Sequence, residues 1–162
     1  MYVYPHFPKS LVGVLLFAGA LPLSAAEHGK ANTTATTPNV WIIRADLDSA
    51  AALPSNSEPA TGDVTGTYDR TTHILRFNAR FLSLSGPALN AKFHGPAAFD
   101  RLAGAIVAAP RPEARLVSGT AWLDDEQEQD LLEGRWYFNV TTQKHPQGEI
   151  RGMVHVTPQP AN

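Results

Sequence analysis

Histidine, lysine and carboxylate side chains carry whatever chemistry this sequence can perform, because it contains no cysteine. That absence removes disulfides, thiolate metal sites, cysteine nucleophiles and the lipid-bearing cysteine of a bacterial lipoprotein. Among the six histidines, His94 lies two residues after Lys92 and His145 directly follows Lys144, while His28, His73 and His155 stand apart. None has the close spacing of a local chelate. Serines are plentiful, yet no Gly-x-Ser-x-Gly elbow occurs, and Ser118 reads as an ordinary strand or turn serine. The acidic run Asp124, Asp125, Glu126, Glu128 and Asp130 invites comparison with a calcium site. Its spacing does not match an EF-hand loop and it lacks the internal glycine, so it is expected to be the solvated face of a short helix. Glu149 and Arg151, two residues apart, share one side of a strand, which predicts a structural ion pair rather than a polar ligand clamp.

The elements that must position these residues are mostly strands. Trp41, Ile43, Ala45 and Leu47 alternate with Arg44 and Asp46, and Leu75, Phe77, Ala79 and Phe81 alternate with Arg76, Asn78 and Arg80. A period of two means strands with one buried face, here Val40 to Leu47 and His73 to Phe81. Further strands are expected at Val64 to Tyr68, Leu89 to Phe93, Gly104 to Ala108, Arg115 to Leu123, Arg135 to Thr142 and Glu149 to Val156. Asp124 to Glu133 is too polar for a strand. Asp124 and Gln127 have capping-box spacing, Leu131 and Leu132 can dock on a core, and Gly134 can supply a left-handed stop. The pattern predicts an all-β, antiparallel sandwich with one short helix.

At the start, Lys9, the apolar run Leu11 to Leu21 and the small residues Ser24, Ala25 and Ala26 have the three parts of a secretory signal peptide. The run is too short for a transmembrane helix. The expected organisation is a signal peptide over 1–26, a flexible leader over 27–38, one domain over 39–157 and a flexible tail over 158–162. No membrane span is expected after cleavage, and the product should be periplasmic or secreted. A net charge of -2 without a basic block leaves no electrostatic footprint for nucleic acid.

Four stretches carry a family resemblance. They are the ending Tyr137-Phe-Asn-Val-Thr-Thr142 followed by Pro146-Gln-Gly-Glu-Ile-Arg-Gly152, the loop Leu53-Pro-Ser-Asn-Ser-Glu-Pro-Ala-Thr-Gly62, the central Phe93-His-Gly-Pro-Ala97, and Leu131-Leu-Glu-Gly134. In order and approximate spacing the chain resembles the CHRD (chordin-type) domain, over roughly residues 40 to 156. The resemblance implies an immunoglobulin-like or Cu,Zn superoxide dismutase-like sandwich. It also implies three histidines, of which this chain keeps only His94: Lys92 stands at the first position and Thr141 at the third. A lysine that is cationic at neutral pH opposes a divalent ion, so the inherited site looks dismantled.

The expected function is therefore that of an exported, noncatalytic binding or structural module without a cofactor. Its partner would be an envelope or extracellular protein or a glycan, held by loops at one end of the sandwich. Lys92, His94, Lys144 and His145 would form a mildly basic rim if those loops cluster. The alternative is a periplasmic copper- or zinc-binding protein, or degenerate dismutase-like enzyme, using His94 and His145.

Overall fold

A computed structural model of the chain describes residues 38–160. The expected signal peptide and nearly all of the expected leader lie outside the described residues. Nine strands and one helix follow in the order β1 (Val40–Asp48), β2 (Thr61–Asp69), β3 (Ile74–Leu82), β4 (Ala88–His94), β5 (Ala105–Ala108), β6 (Leu116–Trp122), α1 (Asp125–Leu132), β7 (Tyr137–Thr142), β8 (Ile150–Met153) and β9 (His155–Pro158). Every strand pair is antiparallel. The fold is thus the all-β, antiparallel arrangement with a single short helix that the alternation predicts.

The strands form one ladder in the order β5-β4-β7-β8-β1-β2-β3-β6, with β9 also pairing β1. The ladder folds over on itself. Phe77 of β3 meets Phe93 of β4 edge-on at 5.0 Å, Phe93 meets Phe138 of β7 at 4.7 Å, and Phe81 stacks on Phe138 at 6.3 Å. All four rings are buried, with Ile43, Leu47, Leu75 and Ile150 around them. Offset and edge-to-face rings add about 1 kcal/mol per pair beyond the area they remove from water.

The expected strand from Glu149 to Val156 divides into β8 and β9. β8 pairs with β7, reaches β1 only at Arg151↔Asp48, and gives way to β9, which runs beside Trp41 to Arg44. β8 and β9 keep one register against β1, and at Gly152 the Cα faces the Asp46 carbonyl so closely that any Cβ would collide with it. The expected tail also begins inside the sheet: Pro158 pairs with Trp41, and the Gln159 N–H donates to the Val40 carbonyl at 2.9 Å. Pro tolerates that place because the N–H it lacks would have pointed away from β1, the bond to β1 being made by Gln159.

Candidate functional site

Strand β7 measures the distance between the residues of the expected rim. His94 pairs with Tyr137 at its first residue and Lys92 with Asn139 in its middle, whereas Lys144 and His145 follow its last residue, Thr142. Five steps of an antiparallel strand, about 17 Å, separate the His94 end from the His145 end. The single basic rim of Lys92, His94, Lys144 and His145 is therefore not formed, and His94 and His145 cannot share a metal bound at about 2 Å. Among the described residues no group of three or more histidines and carboxylates is arranged around a common point.

At the first end, three side chains from neighbouring strands hold one loop. His94 closes β4, Tyr137 opens β7 and Arg151 lies in β8, so the tyrosine strand runs between the other two. The His94 and Tyr137 rings stack 5.0 Å apart and nearly parallel, and the Arg151 guanidinium lies 3.9 Å from the Tyr137 centroid. Each side chain reaches the backbone of residues 95–104, between β4 and β5. His94 Nδ1 is 3.0 Å from the Ala103 carbonyl, the Ala103 N–H donates to the Tyr137 hydroxyl at 3.0 Å, and Arg151 Nη2 donates to the Arg101 carbonyl at 2.7 Å. The loop closes on itself through Gly95 N–H to Gly104 at 3.2 Å and joins the body through Ala97 N–H to Arg135 at 2.9 Å. On this fixed backbone, Phe99 is 57% and Leu102 61% exposed.

The electrostatics at this end disfavour added positive charge. Burial holds the His94 imidazole below its ordinary pKa; the Ala103 carbonyl opposes this, and the Lys92 and Arg151 charges reinforce it. Burial likewise lowers Arg151, whose Nε and Nη1 are enclosed without a protein partner. A divalent cation would meet two fixed cations and an imidazole whose Nδ1 is already engaged.

Glu149 and Arg151 do not form the ion pair their spacing suggested. Both are fully buried, and each is engaged elsewhere. Glu149 accepts the Ser85 N–H at 2.6 Å, the Ser85 hydroxyl at 2.5 Å and the Thr142 hydroxyl at 2.5 Å, which ties the β3–β4 connection to the β7–β8 hairpin. Arg151 turns to the tyrosine face and the Arg101 carbonyl instead. The register shows why a period-two reading fails here: the partners lie on different neighbouring strands and loops, which spacing within one strand does not encode.

At the far end of β7, Lys144 and His145 converge on Glu58, from the loop between β1 and β2. Lys144 forms an ion pair with this carboxylate, and His145 Nε2 lies 3.3 Å away. Hydrogen bonds from Lys144 and then His145 hold the Glu58 carboxyl below its usual pKa. The turn after β7 and the β1–β2 loop thus do meet, but their charges compensate each other instead of presenting a free basic surface.

The helix acids also depart from expectation, since Glu128 and Asp130 are buried. Tyr68 and Arg70 donate to Glu128, the latter at 2.7 Å, while Asp130 is held by Arg135. Burial alone would raise the Glu128 carboxyl, but the Tyr68 and Arg70 hydrogen bonds outweigh it and leave the group below its ordinary pKa. Burial and the Glu128 bond push the Tyr68 hydroxyl well above its ordinary pKa. Glu128 therefore braces the helix against β2 beside an open cleft of about 790 Å³.

Sequence reasoning missed Tyr137, Phe99 and Leu102. Two signals existed: Tyr137 shares the Asn139 face of its strand, and two large apolar residues interrupt a loop. Neither says what packs beneath it.

No curated protein and no solved structure matched the chain. A family model, that of the CHRD domain, matches residues 43–154, a span running from the core of β1 to the residue after β8. It includes the Phe93-to-Ala97 motif that opens the pinned loop and the Glu149-to-Gly152 segment beneath it, and so the chain belongs to the CHRD domain family.

Proposed function

We propose that this chain is an exported, noncatalytic CHRD domain that binds an envelope or extracellular protein through the loop at residues 95–104. One observation carries the reading: side chains from three strands fix the backbone of a loop that displays two large apolar residues to solvent. Ordering such a loop in advance removes an entropy cost that binding would otherwise meet, and exposed aromatic and aliphatic anchors are what protein interfaces bury. The polar residues that could have suggested catalysis are engaged in bracing: His94 on Ala103, His145 on Glu58 and Glu149 on Ser85 and Thr142. The N-terminal pattern of charge, apolar run and small residues supports export, and no described helix is long and apolar enough to cross a membrane.

The test compares labelled wild-type protein with a Phe99→Ser, Leu102→Ser double variant on the envelope and extracellular fractions of the native host. Saturable binding should weaken more than tenfold in the variant, the loss of two apolar anchors. Equal retention of both proteins would overturn the loop assignment. Calorimetric titration with copper(II) and zinc(II), beside His94→Ala, checks the noncatalytic reading. A tight stoichiometric site lost in His94→Ala would replace it with metal handling.

A further inference from the structure

The two ends of the strand ladder differ. β5, at one edge, has four residues, while β6, at the other, has seven: Leu116-Val-Ser-Gly-Thr-Ala-Trp122. β6 pairs only with β3 among the described residues, and contains neither a charge nor a proline. Exposed edges of this length are usually blunted by lysines, prolines or bulges, because their free N–H and C=O groups are a template for another strand.

The direction of those free groups follows from the pairing with β3. The Arg115 carbonyl accepts the Phe81 N–H at 3.0 Å, and the Leu123 N–H donates to the His73 carbonyl at 2.9 Å. In an antiparallel pair, inward and outward backbone groups alternate by residue, so odd-numbered residues face β3. The N–H and C=O groups of Leu116, Ser118, Thr120 and Trp122 face outward. No described residue bonds to these outward backbone groups. The same residues present their side chains on the solvent face, with Leu116 65% and Trp122 63% exposed.

We infer that β6 is a self-association edge whose occupant is β6 of a second copy, paired antiparallel about Gly119. The residues choose this occupant. A two-fold axis at Gly119 places Leu116 opposite Trp122 of the second copy and Ser118 opposite its Thr120. Both pairings join residues whose backbone groups face outward, so each pair exchanges two hydrogen bonds. Each exposed leucine then packs against an exposed indole, in an isologous contact where every interaction occurs twice. Oppositely charged ends also come together, because the Arg115 end of one strand runs beside the Asp124 end of the other. A parallel or shifted pairing would lose the leucine–indole match. This interface is separate from the loop at residues 95–104, and its failure would leave that reading intact.

Sedimentation of the purified protein over a concentration series tests the pairing. A reversible monomer–dimer equilibrium is expected. Thr120→Lys places a charge in the pairing edge, and Thr120→Pro deletes one outward N–H without touching the bonds to β3. Each should raise the dimer dissociation constant more than tenfold, with circular dichroism and the melting transition of Thr120→Lys confirming that the fold persists. Trp122 fluorescence should shift to shorter wavelength as dimer forms, and this shift should vanish in Trp122→Phe. A protein that stays monomeric up to about 1 mM, or a dimer indifferent to Thr120→Lys, would overturn the inference.

Discussion

His94 shows how one residue can keep the appearance of a metal ligand and act as a brace. Its Nδ1 meets the Ala103 carbonyl, its ring lies on Tyr137, and two cations stand near it. Burial, chief among these influences, lowers its pKa in the fold below the ordinary value of 6.5, so the unfolded chain takes up the proton first as pH falls. The neutral imidazole therefore contributes stability that is complete above pH 6.5 and lost as pH falls through the lower, folded value. Urea unfolding of wild type and His94→Gln between pH 7.5 and about 5.5 should show wild type losing stability on acidification more steeply than the variant. Parallel pH profiles would show that His94 titrates alike in both states. The residue type and its place after Lys92 were legible in the sequence. Its stacking partner was not, because Tyr137 lies more than forty positions away and is brought alongside only by the β4–β7 register.

At the scale of elements, local signals worked where the partner is also local. Asp124 and Gln127 form the capping box that their spacing predicts, with Gln127 N–H to Asp124 at 2.8 Å and Asp124 N–H to Gln127 at 3.2 Å. Gly134 then ends the helix at φ +72°, a left-handed turn that glycine adopts without strain. The helix acids did not follow the same logic. Glu128 is drawn inward by Tyr68 and Arg70 of the β2–β3 hairpin, which helix periodicity cannot foresee. Glu149 has a comparable role between the β7–β8 hairpin and the β3–β4 connection. Glu149→Ala strands the Ser85 N–H and the Ser85 and Thr142 hydroxyls, and should cost about 3 kcal/mol in denaturant unfolding. A loss below about 1 kcal/mol would mean these donors find water at no penalty.

On the scale of the molecule, the close approach at Gly152 seats β8 against β1. Gly152→Ala should lower stability by more than about 2 kcal/mol, because its methyl group collides with backbone at Asp46 instead of a movable side-chain tip. Gly86→Ala, where a Cβ would meet nothing within 4 Å, is the matched control and should melt as wild type does. Equal melting of the two variants would show that β8 and β1 move apart easily at this point. The sequence by itself determined the all-β class, the faces of β1 and β3, the capped helix and the family, because each depends on periods or motifs within a few residues. Only the tertiary structure decided that Glu149 and Arg151 part company, that His94 and His145 stand at opposite ends of β7, and that one loop displays Phe99 and Leu102. Those outcomes depend on register between strands distant in sequence. A single strand's alternation says which face is buried, but not which neighbour it will meet.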